Sequence, residues 1–383
     1  MKPVHIIEAK RSAIGRFGGG LKSLSAADLA SAVADAVLAE ALREHIGQVI
    51  LGQVISAGSG MNVARQVGLK LGIPQHVPAF TVNMACGSSL KAAALAASAI
   101  SCGESDLVLA GGVESMSRAP HYVTDLRWGK KLGDAAMQDA NFVDGLTDPT
   151  LRIGMGETAE RIADKHGITR AEQDAFAAQS QSRASASRDV FAREIVAVTG
   201  RDGTVTSDEH PRADTTVETL AKLTPAFRKD GTVTAGNASG INDGAAMVLL
   251  AGDEAVQRHN LQSRARIVAS AAVGCDPAMM GLGPVGAIRK LCGITDWALE
   301  DVDAIEINEA FAVQTLGCVR ELGLDIAKLN QRGGAIALGH PIGASGARVL
   351  VTLLHLMEDR NCSRGIASLC IGGGMGIAMA IER

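Results

Sequence analysis

The sequence predicts an α/β protein made of two similar halves, with a loop-rich segment inserted into the first. Three observations carry that prediction. Short apolar strands alternate with alanine-rich helices from Val4 to Gly112, the pattern of a mostly parallel sheet covered by helices. From Glu114 to about Thr234 the chain turns polar, rich in Met, Asp, Arg and Gln, with few strand signals. The C-terminal part then repeats the layout of the first.

Taken in order, Val4-His5-Ile6-Ile7 opens as a strand and Ala26 to Leu42 reads as an amphipathic helix. Gln48 to Ile55 is a strand, and Ala64 to Leu71 a helix stopped by Gly72. Val77 to Val82 is a short strand of branched and aromatic residues. Leu90 to Ile100 is an alanine-rich helix ending at Gly103, and Asp106 to Ala110 is a strand. Inside the polar segment, Gly156 to His166 and Arg170 to Arg188 read as helices, and Asp202 to Thr216 as a charged, turn-rich loop. Gly244 to Ala251 reads as a buried strand that resumes the α/β pattern. These shifts divide the chain into an α/β domain (1–115 with 242–262), an inserted loop domain (116–241) and a second α/β domain (263–383).

The internal repeat is specific. Cys86-Gly87-Ser88-Ser89 leads into a helix and then into Asp106 to Gly112. Its counterpart is His340-Pro341-Ile342-Gly343-Ala344-Ser345-Gly346, a helix to Met357, then Ile366 to Leu369 running into Gly372-Gly373-Gly374. A duplicated unit brings equivalent turns together about a pseudo-twofold axis. Cys86 and His340 are therefore expected to face each other.

Composition bounds the function. A chain of 383 residues that is 47% apolar has enough material for two or three domains with real cores. Aromatics make up only 3% and the net charge is −4, which leaves neither stacking platforms nor a basic footprint for nucleic acid. An anionic substrate needs a local basic patch instead. The seven cysteines (86, 102, 275, 292, 318, 362 and 370) are irregularly spaced and include no C-x-x-C pair, which points to a reducing compartment and away from a disulfide framework or structural zinc. The start runs straight into a strand with no signal or transit pattern, no apolar run approaches ~20 residues, and Ile381-Glu382-Arg383 carries no address. The expectation is a soluble, cytoplasmic protein with no membrane or nucleic-acid partner.

Four stretches carry chemistry. Cys86 lies on a strand-to-helix turn, where helix N–H groups and the helix dipole favour a thiolate and lower the thiol pKa. Glu306-Ile307-Asn308-Glu309-Ala310-Phe311 follows a strand and opens a helix. His340 sits in a glycine-rich stretch from Gly333 to Arg348, and Cys370 begins the glycine-rich turn Cys370-Ile371-Gly372-Gly373-Gly374-Met375-Gly376. Glycines let backbone N–H groups close on a ligand, as an oxyanion site requires. The spacing fits neither a G-x-G-x-x-G fingerprint nor a Walker lysine, so no dinucleotide or nucleotide loop is present. Singly, each stretch has a plain structural explanation: a buried core cysteine, a helix-capping asparagine, a core histidine, a tight turn. Together they do not.

On these residues the chain resembles the thiolase family, most closely its biosynthetic acetoacetyl-CoA branch, from Ile7-Glu8-Ala9-Lys10-Arg11 to the C-terminus. The most specific matches are Gly111-Gly112-Val113-Glu114-Ser115-Met116-Ser117, Thr234-Ala235-Gly236-Asn237-Ala238-Ser239-Gly240, Asn308-Glu309-Ala310-Phe311, Gly339-His340-Pro341 and the Cys370 stretch. The resemblance implies the thiolase fold, with helices covering mixed five-stranded sheets. It implies that Cys86 is acylated by an acyl-CoA, that His340 takes the thiol proton, and that Cys370 is the acid/base at the α-carbon of a second acetyl-CoA. His340 with a water held by Asn308 would stabilise the enolate, and the N–H groups of Cys86 and Gly372 would form a second oxyanion hole. Arg212, Thr219, Ala235 and Ser239 match coenzyme A contacts, and Met155, Met280, Ala310 and Phe311 match substrate-pocket walls. The implied product is acetoacetyl-CoA, with no metal and no cofactor beyond coenzyme A as substrate and product. The loop Leu126-Arg127-Trp128-Gly129-Lys130-Lys131-Leu132-Gly133-Asp134 stands where the branch carries a tetramerisation loop, which implies a homotetramer, a dimer of dimers.

Two departures bear on specificity. The family usually reads Ser/Ala-Ser-Gly after the nucleophile, where this chain has Gly87-Ser88-Ser89. The short-chain branch usually has a histidine before Met155, where this chain has Gly154. Gly154 favours a degradative 3-ketoacyl-CoA thiolase of broader chain length, and the loop around Trp128 favours the condensing enzyme. A decarboxylating ketosynthase would need a histidine in place of Cys370. A non-catalytic scaffold of the same fold would have no use for Cys86, Asn308, His340 and Cys370 together.

Overall fold

The computed structural model describes residues 2–383. Nine strands form the main path of one mixed sheet: β1 (Val4–Ser12), β2 (Gln48–Gly52), β3 (Ala79–Val82), β4 (Leu107–Ser115), β5 (Asn242–Gly252), β6 (Ala265–Gly274), β7 (Ala304–Ile307), β8 (Arg364–Ile371) and β9 (Met375–Glu382). Their spatial order is β7-β8-β9-β6-β1-β5-β4-β2-β3. The principal helices are α1 (Ala26–Val37), α2 (Val63–Lys70), α3 (Ser88–Ser101), α4 (Met155–His166), α5 (Arg170–Ala186), α6 (Gly283–Thr295), α7 (Ala312–Leu322) and α8 (Ser345–Arg360).

The duplication expected from the sequence is visible in the pairing. Antiparallel β1–β5 and β5–β4 followed by parallel β4–β2 matches antiparallel β6–β9 and β9–β8 followed by parallel β8–β7. The two halves meet where β1 pairs with β6 through Val4↔Ile267, His5↔Arg266 and Ile6↔Ala265. The implied pair of five-stranded sheets is thus joined into one. The first half keeps five strands, and the fifth of the second half shrinks to the parallel bridge Ile305↔Leu329.

Burial arranges these elements in layers. One core packs α3 and α8 (Leu90, Ala93, Leu350, Leu353) against strands of both halves. A second packs α1 and α2 on the outside of the first half, and a third packs α6 and α7 on the outside of the second. The central helices approach closely because they are lined with small residues: a Cβ on Gly346 would lie 2.5 Å from the Leu90 nitrogen. The wholly buried strands β4 and β5 read as continuous apolar runs because helices cover both their faces.

Two elements differ from the expectation. The helix from Ala26 stops at Val37, because Leu38 leaves helical geometry and buries completely; a short 3₁₀ turn, Glu40–His45, follows. The strand from Leu107 runs on to Ser115, held by pairing up to Asp243↔Ser115. Gly111 permits this: it has φ +150°, and a Cβ there would meet the Ala246 carbonyl at 2.2 Å. Residues 116–241, between β4 and β5, hold α4, α5 and only two- or three-residue strands. Among the described residues no helix is long and apolar enough to cross a membrane.

Candidate active site

Cys86 lies on the turn from β3 into α3, which is tightly tied. Ser88 Oγ accepts the Met84 N–H (2.9 Å) and donates to the Ala85 carbonyl (2.6 Å), and the Gly87 N–H closes on the Met84 carbonyl (3.0 Å). The turn forces Ala85 to φ +42°, a left-handed conformation a non-glycine residue adopts only under such constraint. The displaced glycine has a packing reason. A Cβ on Gly87 would lie 2.5 Å from Ile371 Cδ1, while Ser89 in the usual glycine position accepts the Ala347 N–H at 2.9 Å and pins the starts of α3 and α8 together.

The His340 turn is fixed from three sides. Its backbone N–H donates to Asn242 Oδ1 at 2.9 Å, and Asn242 Nδ2 donates to the Gly15 carbonyl at 2.9 Å. Its ring Nδ1 lies 2.6 Å from Ser345 Oγ, and that hydroxyl donates to the Pro341 carbonyl at 2.9 Å. With its one hydrogen so committed, Ser345 accepts from Nδ1–H, which leaves the Nε2 lone pair free. Burial, with the Arg348 charge, pushes the His340 pKa down to about 3, so the ring is a neutral base.

Asn308 sits in the extended link after β7, its N–H on the Ser368 carbonyl (2.9 Å) and its Nδ2 3.4 and 3.5 Å from the two ring nitrogens of His340. The helix expected to open at this stretch begins only at Ala312. Arg348 Nη2 donates to Asn308 Oδ1 at 3.1 Å. Cys370, near the end of β8, is buried in one apolar cluster with Met155, Met280, Ala310 and Phe311. The backbone N–H groups of Gly372 and of Cys86 itself lie near the Cys86 sulfur and favour its thiolate. The elements that carry Cys86, His340, Asn308, Cys370 and Gly372 therefore converge.

The thiol chemistry corrects the expectation for Cys86. Burial pushes its pKa up to about 11; the two N–H groups act in the opposite direction and are outweighed. Burial likewise holds the Cys370 thiol well above the ordinary range, with Cys86 adding to the effect. Both cysteines rest as thiols and need a base to react. Glu114, alone as a charge in an apolar strand, accepts N–H bonds from Val54 (3.0 Å), Ile55 (3.2 Å) and Gly343 (2.9 Å), so it ties the end of β2 to the His340 turn. Burial raises it to about 7.

Arg212, Thr219 and Ala235 line one cavity of about 280 Å³ together with Gln181, His210 and Leu220. The Thr219 hydroxyl is already committed to the Thr216 carbonyl (2.8 Å). Ser239 is not among the residues lining that cavity; its N–H donates to the Ala310 carbonyl (2.9 Å), which places it beside the apolar cluster. Gly154 caps α4, and a Cβ there would meet only the Leu146 carbonyl, at 4.0 Å. Sequence reasoning missed Ser345, Asn242 and the tether at Glu114. The lone acid at 114 was a visible signal; the other two become significant only once the turns are in contact.

Comparison with known proteins identifies the family. The thiolase N-terminal domain model matches residues 4–254 and the thiolase C-terminal domain model residues 261–383. An acetyl-CoA acetyltransferase of Allochromatium vinosum is 51% identical, covering 99% of this chain and 98% of the relative; a probable acetyl-CoA acetyltransferase of Escherichia coli is 49% identical over the whole of both. Among solved structures, a Bacillus anthracis acetyl-CoA acetyltransferase and human mitochondrial 3-ketoacyl-CoA thiolase, the latter also in complex with CoA, each superpose with a TM-score of 0.97 at 44% identity. Both cover 100% of this chain, and 99% and 98% of theirs. The chain belongs to the thiolase family.

Proposed function

We propose that this chain is an acetyl-CoA C-acetyltransferase, which condenses two molecules of acetyl-CoA into acetoacetyl-CoA and CoA and runs the reverse thiolysis. The observation that carries the reading is the convergence of two thiols, Cys370 buried and Cys86 half-buried, with one neutral imidazole and an amide. His340 Nε2 takes the Cys86 proton, and the sulfur attacks the thioester carbonyl. The tetrahedral oxyanion lies against the N–H groups of Cys86 and Gly372. As the C–S bond breaks, the departing CoA thiolate takes the Cys370 proton, which leaves acetyl-Cys86, a Cys370 thiolate and imidazolium. Cys370 then removes an α-proton from the second acetyl-CoA, and the enolate oxygen is met by His340 Nε2–H and by a water that the Asn308 amide holds. The enolate carbon attacks acetyl-Cys86, the Cys86 thiolate leaves, and His340 returns its proton. Both thiols end as they began.

Coenzyme A as substrate and product fits the cavity at Arg212, whose cation suits a phosphate, with the pantetheine directed past Ser239 and Ala310 toward Cys370. No metal or further cofactor enters any step. The open side at Gly154 favours a second reading, a 3-ketoacyl-CoA thiolase of broader chain length. We place the protein in the cytoplasm, because all seven of its cysteines are free. A homotetramer is supported by two surfaces. Strand β3 ends the sheet with Phe80 exposed, an edge suited to pairing with a second copy, and Trp128 (92% exposed) and Leu132 (91%) project from the 126–134 loop. Light scattering of the purified chain should give a tetramer, falling to a dimer in Trp128→Asp/Leu132→Asp. The defining assay is CoA-dependent cleavage of acetoacetyl-CoA beside longer 3-ketoacyl-CoA thioesters. Preference for the longer substrates selects the second reading, and no cleavage of any of them rejects both.

A further inference from the structure

Arg348, in the first turn of α8, is a buried cation with an unusual pattern of partners. It is 2% exposed, its Nη2 donates to Asn308 Oδ1 at 3.1 Å, and neither Nε nor Nη1 meets a hydrogen-bond acceptor among the described residues. The carboxyl groups of Glu306, Glu309 and Glu194 lie around it beyond hydrogen-bond range, with Arg11 among them, and burial pushes the Glu306 carboxyl up to about 8. A desolvated guanidinium is expensive to keep. The one directed hydrogen bond it makes goes to an amide of the candidate site.

That bond decides which way the amide faces. An asparagine side chain is nearly symmetric in shape, with an acceptor on one side and two donors on the other. Arginine has only donors, so Arg348 binds the oxygen and turns Nδ2 to the opposite side, where His340 lies. The backbone of Asn308 is already held by Ser368, so rotation of the amide is the remaining freedom. Charge behind the amide also strengthens its N–H groups as donors in a low-dielectric surrounding.

We propose that Arg348 is a positioning residue for the carbon–carbon half of the reaction: by holding Asn308 Oδ1 it turns the amide N–H groups toward the enolate oxygen and the water that meets it, and it makes no hydrogen bond to Cys86 or His340. This rests on the acetyl-CoA reading above. The two half-reactions separate the roles. Exchange of labelled CoA into acetyl-CoA uses only acetyl transfer to and from Cys86, whereas cleavage of acetoacetyl-CoA also passes through the enolate.

The experiment compares both rates for the full chain and for Arg348→Met, Arg348→Lys, Asn308→Ala and the Arg348→Met/Asn308→Ala double variant. Arg348→Met should lose about 100-fold in cleavage, the scale of one oxyanion donor, with exchange within about threefold of the parent and the double variant no worse than Asn308→Ala. Arg348→Lys should recover part of the cleavage rate, and it carries the test if Arg348→Met does not fold. An equal loss in both reactions assigns Arg348 a merely structural role and overturns the proposal, as does unchanged cleavage. A parent chain that exchanges no CoA overturns the underlying reading, which is a distinct result.

Discussion

Replacing Ser345 by alanine should cripple the enzyme without touching any group that meets substrate. Ser345 Oγ lies 2.6 Å from His340 Nδ1 and donates its own hydrogen to the Pro341 carbonyl, so it can only accept from the ring. The bond fixes the proton on Nδ1 and the lone pair on Nε2, the atom proposed to take the Cys86 proton. In Ser345→Ala the buried Nδ1–H and the Pro341 carbonyl both lose their partner. An unsatisfied buried donor costs about 1–3 kcal/mol, and the ring can avoid that cost by changing tautomer or turning. Either response removes the base from most molecules. At roughly 1.4 kcal/mol per factor of ten, the expected loss in kcat/KM for acetoacetyl-CoA cleavage is about 10- to 100-fold. KM should move little, because Ser345 reaches no substrate. The assay is rapid-quench acetylation of Cys86, followed by intact mass, with thermal unfolding to confirm the fold. Acetylation within twofold of the parent rate would show that Ser345 does not set the tautomer.

Three further outcomes follow from the same geometry. Glu114→Gln should cost about 1–3 kcal/mol in urea unfolding, since an amide cannot accept all three of the N–H groups from Val54, Ile55 and Gly343; unchanged stability would mean the tether is idle. The His340 pKa of about 3 lies below the 6.5 of an unfolded histidine, so its contribution to stability is complete above pH 6.5 and is lost as pH falls. Relative to His340→Gln, the parent should lose roughly 2 kcal/mol between pH 6.5 and 5, from 1.5 units at about 1.36 kcal/mol each. The variant is the needed control because Glu114, raised to about 7, titrates with the opposite sign in the same window. Gly343→Ala would place a Cβ 2.5 Å from the Val113 carbonyl and 2.6 Å from Glu114 Oε2, so stability and activity should fall together; an active, stable variant would contradict the packing described.

Much of the fold was legible because its signals are local. Alanine-rich helices, continuous apolar strands and the paired glycine-rich turns each follow from short-range propensity, and the repeat of Cys86 and His340 turns predicted their meeting. What depends on non-local packing was not legible. Leu38 leaves its helix because the core takes it, and the fifth strand of the second half reduces to a bridge. The thiol of Cys86 was expected low because a helix start is a local feature. Burial, which belongs to the whole fold, raises it to about 11, so the thiol depends on the base already expected at His340. Ser345 and Arg348 carried no signal of their own in the sequence; only the assembled turns give each a side chain to hold.

The central claim is a division of labour between two thiols, with Cys86 carrying the acyl group and Cys370 handling the α-proton. Incubating Cys370→Ala with acetyl-CoA, quenching in acid and mapping the adduct tests it most directly. The account predicts one acetyl group on Cys86, with formation of acetoacetyl-CoA abolished and no adduct in the Cys86→Ala/Cys370→Ala variant. An acetyl group on any other residue, or condensation that survives loss of Cys370, would contradict it.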